Sequence, residues 1–110
     1  MRNSEEVSAD PELLAQLKAT ASPVRLSVLA DLKRPAERYP PQVDGDFEAD
    51  GVCADFIRAR LGVSAATASR HLGLLTDAGL LLRTRRKGWT FYRRNEPAIT
   101  AFTRRLGATL

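Results

Sequence analysis

Residues 61–82 read LGVSAATASRHLGLLTDAGLLL, and this stretch decides the fold. Gly62 can adopt the positive φ that closes a helix, and Ser64 is an N-cap residue. The spacing therefore predicts one helix ending and another starting across Gly62-Val63-Ser64. At about 100° per residue the second helix, closing on Gly79, turns Ala68, Leu72 and Leu75 inward. Ala66, Ser69, Arg70 and Gly73 then face outward, with Thr67 at the margin. Before the turn, VCADFIRARLG from Val52 places Ala54, Ile57 and Leu61 on one helical stripe. Two short helices about so tight a turn make a helix-turn-helix, assigned to 52–79.

After this unit, Leu80, Leu81 and Leu82 lead into RTRRKGWTFYRRN, where β-favouring residues flank Lys87-Gly88 as a two-residue hairpin turn. Alternation groups Leu82, Trp89 and Phe91 on one face and Arg83, Arg85, Thr90, Tyr92 and Arg94 on the other, so one face is expected to pack and the other to be cationic. Asn95, Glu96 and Pro97 then open a last helix with Ile99, Phe102 and Leu106 on one side. Nearer the start, Asp10-Pro11 and Ser22-Pro23 are each an N-cap followed by a first helical position. The first helix carries Leu13, Leu14 and Leu17. The second carries Leu26, Val28, Leu29 and Leu32 to about Lys33, with Pro35 as its expected stop. The segment 34–51, RPAERYPPQVDGDFEADG, lacks periodicity and reads as a loop insertion. Val43 and Phe47 are its candidate anchors. Its carboxylates Asp44, Asp46, Glu48 and Asp50 are either solvated or oxygen donors for a hard cation, without EF-hand spacing. The fold class is mainly α with a small β-hairpin, about five helices plus a two-stranded wing at 80–95, in a single domain 1–110.

A chain of 110 residues and 12.1 kDa has room for one modest core. Hydrophobic residues at 44% and charged residues at 27% exclude a disordered or fibrous chain. No apolar run approaches a membrane span, and the acidic start MRNSEEVSADPE is unlike a signal peptide, so a cytoplasmic location is expected. The single cysteine excludes an internal disulfide and a cysteine-only metal cage. Charge is segregated: six Lys and Arg against eleven Asp and Glu up to Ile57, a net −5, then eleven against two, a net +9. With a pI near 9.8, nucleic acid is the leading partner, a solvated basic face being the alternative. One His, one Cys, no glycine-rich phosphate loop and no serine-histidine-acid order argue against an enzyme. No catalytic residue, metal ligand or cofactor is assigned.

The order of elements, together with LGVSAATASRHLGLLTDAGLL, resembles the ArsR/SmtB family of winged helix-turn-helix transcriptional regulators. SPVRLSVL is similar to the family's second-helix phrase, usually written Asp-Pro-x-Arg, and GWTFYRRN to its wing. The resemblance runs from Asp10 to the C-terminus except for Arg34–Gly51. It implies a homodimeric repressor on a pseudo-palindromic double-stranded DNA operator, released by an effector that the sequence does not identify. DNA contacts are expected from Ser64, Ala66, Thr67, Ser69, Arg70 and His71 and from Arg83, Arg85, Arg86 and Lys87 of the wing. Arg70 can pair with guanine O6 and N7 or hold a phosphate. His71 is expected to meet a phosphate or make a local backbone hydrogen bond.

The helices of 10–33 and 96–110 are the expected dimerisation elements, burying Leu13, Leu14, Leu17, Ile99, Phe102 and Leu106, since so small a domain has little core to cover both stripes. Sensing departs from the family. Aligned on SRHL, Cys53 falls at the first position of its Cys-x-Cys metalloid pair and Asp55 at the second, and one thiolate cannot chelate arsenite there. The zinc site of other members draws on Asp and His in the last helix, and 96–110 contains neither. Cys53 is left as a buried thiol or a candidate redox sensor. Arg58 stands where such helices usually carry a small residue. A winged-helix RNA-binding or protein-interaction module without operator specificity is the alternative function.

Overall fold

The computed structural model describes residues 10–110; the acidic start at 1–9 lies outside them. Asp10 caps α1 (Pro11–Thr20), its Oδ1 accepting from the Leu13 amide at 3.0 Å. Ser22 caps α2 (Pro23–Asp31), its Oγ accepting from the Arg25 amide at 3.2 Å. In both, Pro fills the first helical position, where no amide hydrogen is needed.

Pro35 does the same, which corrects its reading as a stop alone: it opens a one-turn helix, α3 (Pro35–Arg38). A second correction concerns Val52 and Cys53. They form a short strand, β1 (Val52–Cys53), so α4 (Ala54–Leu61) starts two residues later than the helix-turn-helix bounds 52–79 implied, at the first residue of the stripe. α5 (Ala65–Asp77) follows after Gly62, whose φ of 69° closes α4 in the left-handed region. The hairpin β2 (Leu81–Arg86) and β3 (Trp89–Arg94) turns at Lys87-Gly88, and α6 (Glu96–Thr109) ends the chain's described elements.

The sheet thus has three strands in the order β1-β3-β2, all antiparallel, with Cys53 opposite Phe91 and Arg83 opposite Tyr92. Making β3 central changes the expected division of its faces. Leu81 and Tyr92 are buried on the side expected to be cationic, and Phe91 is buried on the other. Arg94 contributes to neither a free face nor a wing surface. Its guanidinium donates to the Leu29 carbonyl at 2.8 Å and pairs with Glu96 at 2.7 Å, tying α2 to the start of α6. Gly51 delivers the chain into β1 with φ 102°, and a Cβ there would lie 2.2 Å from the Tyr92 carbonyl oxygen, so only glycine passes.

The core gathers Leu13, Val28, Leu29, Ile57, Leu72, Leu75, Leu80, Leu81, Tyr92 and Phe102. Each such side chain taken from water contributes about 1.5–3 kcal/mol. Tyr39, from the end of α3, joins them. Burial, reinforced by the Asp31 carboxylate and opposed by Arg60, pushes its phenol up to about 12.

The insertion is pinned by polar contacts more than by its apolar residues. Val43 is fully exposed, contrary to expectation, whereas Phe47 does pack against the core. Gln42 accepts from the Cys53 amide through Oε1 at 2.6 Å and donates to the Gly51 carbonyl through Nε2 at 3.0 Å. Asp50 accepts from the Asp46 amide at 2.9 Å and pairs with Arg86 at 3.0 Å. Asp46 is occupied by the Glu48 and Ala49 amides, which hold its carboxyl below the usual range. Among the described residues no three potential metal ligands gather.

Candidate nucleic-acid interface

α5 stands with its inward stripe buried as spacing requires: Ala68, Leu72 and Leu75 keep 3%, 1% and 0% of their surface. Ser64, Ala65, Ala66, Thr67, Ser69 and Arg70 are all exposed. Small side chains at the start of a helix let its backbone come close to base edges, and the first-turn amides favour a phosphate. No acid stands in the first turn. Ser64 accepts from the Thr67 amide at 3.1 Å, and its hydroxyl donates to the Thr67 hydroxyl at 3.0 Å, so these two fix the helix start as well as facing outward. Arg70 makes no ion pair among the described residues.

His71 turns away from that surface. Its Nδ1 lies 3.0 Å from Nη1 of Arg25, and because a guanidinium can only donate, the imidazole must accept as the neutral ring. Burial, then Arg25, then Arg70 lower its pKa. Arg25 also donates to the Ala19 carbonyl at 2.6 Å and the Lys18 carbonyl at 3.3 Å, so it clamps the end of α1 and α5 together. This positioning role was missed from sequence. The phrase SPVRLSVL singles out Arg25, but its partners are 6, 7 and 46 residues away.

The wing brings Arg83, Arg85, Arg86 and Lys87 to an exposed hairpin. Arg83 and Arg85 share the face of Tyr92 and Thr90, while Arg86 stands opposite Trp89 on the other face. Lys87 at φ 51° and Gly88 at φ 81° make the tight turn that projects the tip. The sequence between Asp77 and Glu96 lacks acids, yet the fold supplies one: Asp50, 7% exposed, pairs with Arg86. Arg58 reaches Asp55 one turn back at 3.9 Å.

The apolar stripes of α1 and α6 behave unevenly. Leu13 and Phe102 are buried in the chain's own core, with little surface left for a partner subunit. Leu17, Ile99 and Leu106 pack at its edge and stay partly open, as does Leu14. An Asp10–Arg105 ion pair joins the start of α1 to α6. Cys53 is 8% exposed and sits in β1, before α4.

No family model matches the chain. It is similar to the uncharacterized HTH-type transcriptional regulator YbzH of Bacillus subtilis (strain 168), with 35% identity over 88 residues, 80% of this chain and 88% of that protein. Among solved structures it resembles the ArsR family transcriptional regulator RHA00566, with a TM-score of 0.67 at 17% identity, covering 99% of this chain and 92% of that one. It also resembles the homodimeric winged helix-turn-helix DNA-binding domain of Mb0332 from Mycobacterium bovis, a possible ArsR-family regulator, with a TM-score of 0.64 at 20% identity over 99% and 88% of the two chains.

Proposed function

Since the chain belongs to the ArsR family of winged helix-turn-helix transcriptional regulators, we propose that it acts as a homodimeric repressor whose α5 reads one half-site of a pseudo-palindromic operator while the wing holds the flanking backbone. The observation that carries this is the outward face of α5: the small exposed residues Ala65, Ala66, Thr67 and Ser69, then Arg70 without an ion pair among the described residues. A side chain so placed is free for a bidentate guanine contact. Arg83, Arg85 and Lys87 supply phosphate contacts, and such contacts set affinity without setting sequence. Ser64, Thr67 and His71 order the helix that presents Arg70.

Dimerisation is assigned to the half-open edge formed by Leu14, Leu17, Ile99 and Leu106, with Leu13 and Phe102 supporting it from within. The named homodimeric relative supports the assembly, and a two-fold axis sets two α5 helices about one DNA turn apart. Leu17→Glu with Ile99→Glu is expected to yield folded monomers, because each would bury an unpaired charge at the interface. A folded dimer in sedimentation would move the interface elsewhere. The reading involves no catalytic step and places the protein in the cytoplasm with its DNA. Among the described residues no helix is long and apolar enough to cross a membrane.

The deciding experiment is selection of bound duplexes from random DNA. Recovery of a two-fold symmetric motif is expected. Binding without sequence enrichment would favour a general polyanion-binding module instead.

A further inference from the structure

DNA reading leaves the insertion between α3 and β1 without a task. Its turn around Gln42 and Asp44 stands against β1, β3 and α4 and borders an open recess of about 220 Å³. Phe56 of α4 and Trp89 and Phe91 of β3 wall it, and Cys53 of β1 lines it. Trp89 and Phe91 are two residues apart on one strand and so project from the same face.

Several features identify what fits. Trp89 leaves 44% of its surface exposed, unusual for the largest apolar side chain in the molecule. The Gln42 amide is already committed to the Cys53 amide and the Gly51 carbonyl. Asp44, by contrast, makes no ion pair or side-chain hydrogen bond among the described residues. No Lys or Arg lines the recess, in a chain with a pI near 9.8.

Aromatic faces attract cations through the negative charge above each ring, and a nearby carboxylate adds to that attraction. A cavity of about 150 Å³ accepts one benzene ring, so the recess has room for a ring bearing a small ammonium group. An anion would meet the Asp44 carboxylate, and a neutral hydrocarbon would leave it unused.

We propose that this recess is a binding site for a small aromatic cation, its ring against Trp89 and Phe56 and its positive group toward Asp44. As a regulatory site it rests on the DNA-binding reading, so its test contains no DNA.

The probe is benzyltrimethylammonium, followed by calorimetry and by emission of Trp89, the one tryptophan in the chain. Tetramethylammonium lacks the ring, and phenylmethanesulfonate carries the ring with opposite charge. The expected result is a saturable shift of Trp89 emission with benzyltrimethylammonium and binding about tenfold or more weaker for each of the other two. Asp44→Asn should lower affinity for the cation about tenfold without changing the unfolding transition. Trp89→Leu should abolish the calorimetric signal. Absence of saturable binding, equal binding of phenylmethanesulfonate, or an Asp44→Asn variant with unchanged affinity would overturn the site. Any of these would leave the DNA-binding reading standing.

Discussion

Helix α5 and the β2–β3 hairpin both present cations outward, but they hold them differently. α5 has a single one, Arg70, exposed and without an ion pair among the described residues. The hairpin has six, and the fold has already engaged part of them: Arg86 pairs with Asp50, and the Arg94 side chain is 9% exposed against Leu29 and Glu96. Arg93 has its Nε buried without a hydrogen-bond partner among the described residues. Charge counted along a chain is therefore not charge offered to a polyanion. The helix gives direction with one residue, while the wing divides its cations between holding the sheet and facing outward.

The largest expected effect tests how far the wing depends on its seam with the insertion. Gly51→Val would drive a side chain into the Tyr92 carbonyl from a backbone at φ 102°, and a loss of about 4 kcal/mol or more in denaturant unfolding is expected. Gly73→Ala on α5, where a Cβ meets nothing within 4 Å, should instead gain about 0.5–1 kcal/mol. Equal effects at the two glycines would erase the contrast.

Next is Arg70→Ala, expected to cost about 1–3 kcal/mol of specific binding and to relax preference at one position in each half-site. Binding reduced evenly on all duplexes would make Arg70 a phosphate contact like those proposed for the wing.

A smaller effect separates the wing's own cations. Changing Arg85 and Lys87 to Gln should weaken every duplex and flatten the salt dependence by about two counterions. Arg86→Gln should flatten it less and lower folding stability, since it leaves the buried Asp50 carboxylate unpaired. If all three act alike on the salt slope, the Asp50 pair opens on DNA.

The smallest effect concerns the clamp behind α5. The pKa of His71 is lowered in the folded chain, so as pH falls the unfolded chain takes up the proton first. Stability is expected in full above the ordinary histidine value of about 6.5 and to decline as pH drops from there toward the lowered folded value. The melting temperature of His71→Asn, compared with the parent at about pH 7.5 and 5.5, should show a smaller drop. Identical drops would mean that Arg25 does not hold a neutral ring.

The helical parts were legible because their rules are local. Asp10, Ser22 and Ser64 cap as their residue types require, and the stripe Ala68, Leu72, Leu75 follows from 3.6-residue periodicity alone. What stayed hidden depends on partners distant in sequence. Val52 and Cys53 read as the start of a helical segment until β3 arrives to pair with them, and Asp50 reads as solvated until Arg86, 36 residues away, reaches it. The outward face of α5 could be read for the same local reason. The division of labour among the wing arginines could not, because it is decided by Asp50, Leu29 and Glu96.

Val43, exposed over its whole surface at the tip of the insertion, makes the chain divisible. A protease nick there meets no burial of Val43 itself, although Gln42 beside it is held to Gly51 and Cys53. The pieces on either side would each carry half of the same apolar core, Leu13, Val28, Leu29 and Tyr39 before the cut and Ile57, Leu72, Leu75 and Phe102 after it. Cleavage would thus turn folding into association between two fragments, with a midpoint that depends on concentration. Neither fragment alone holds a complete core, so the winged helix becomes a two-piece device whose assembly can be controlled by supplying its first 43 residues separately.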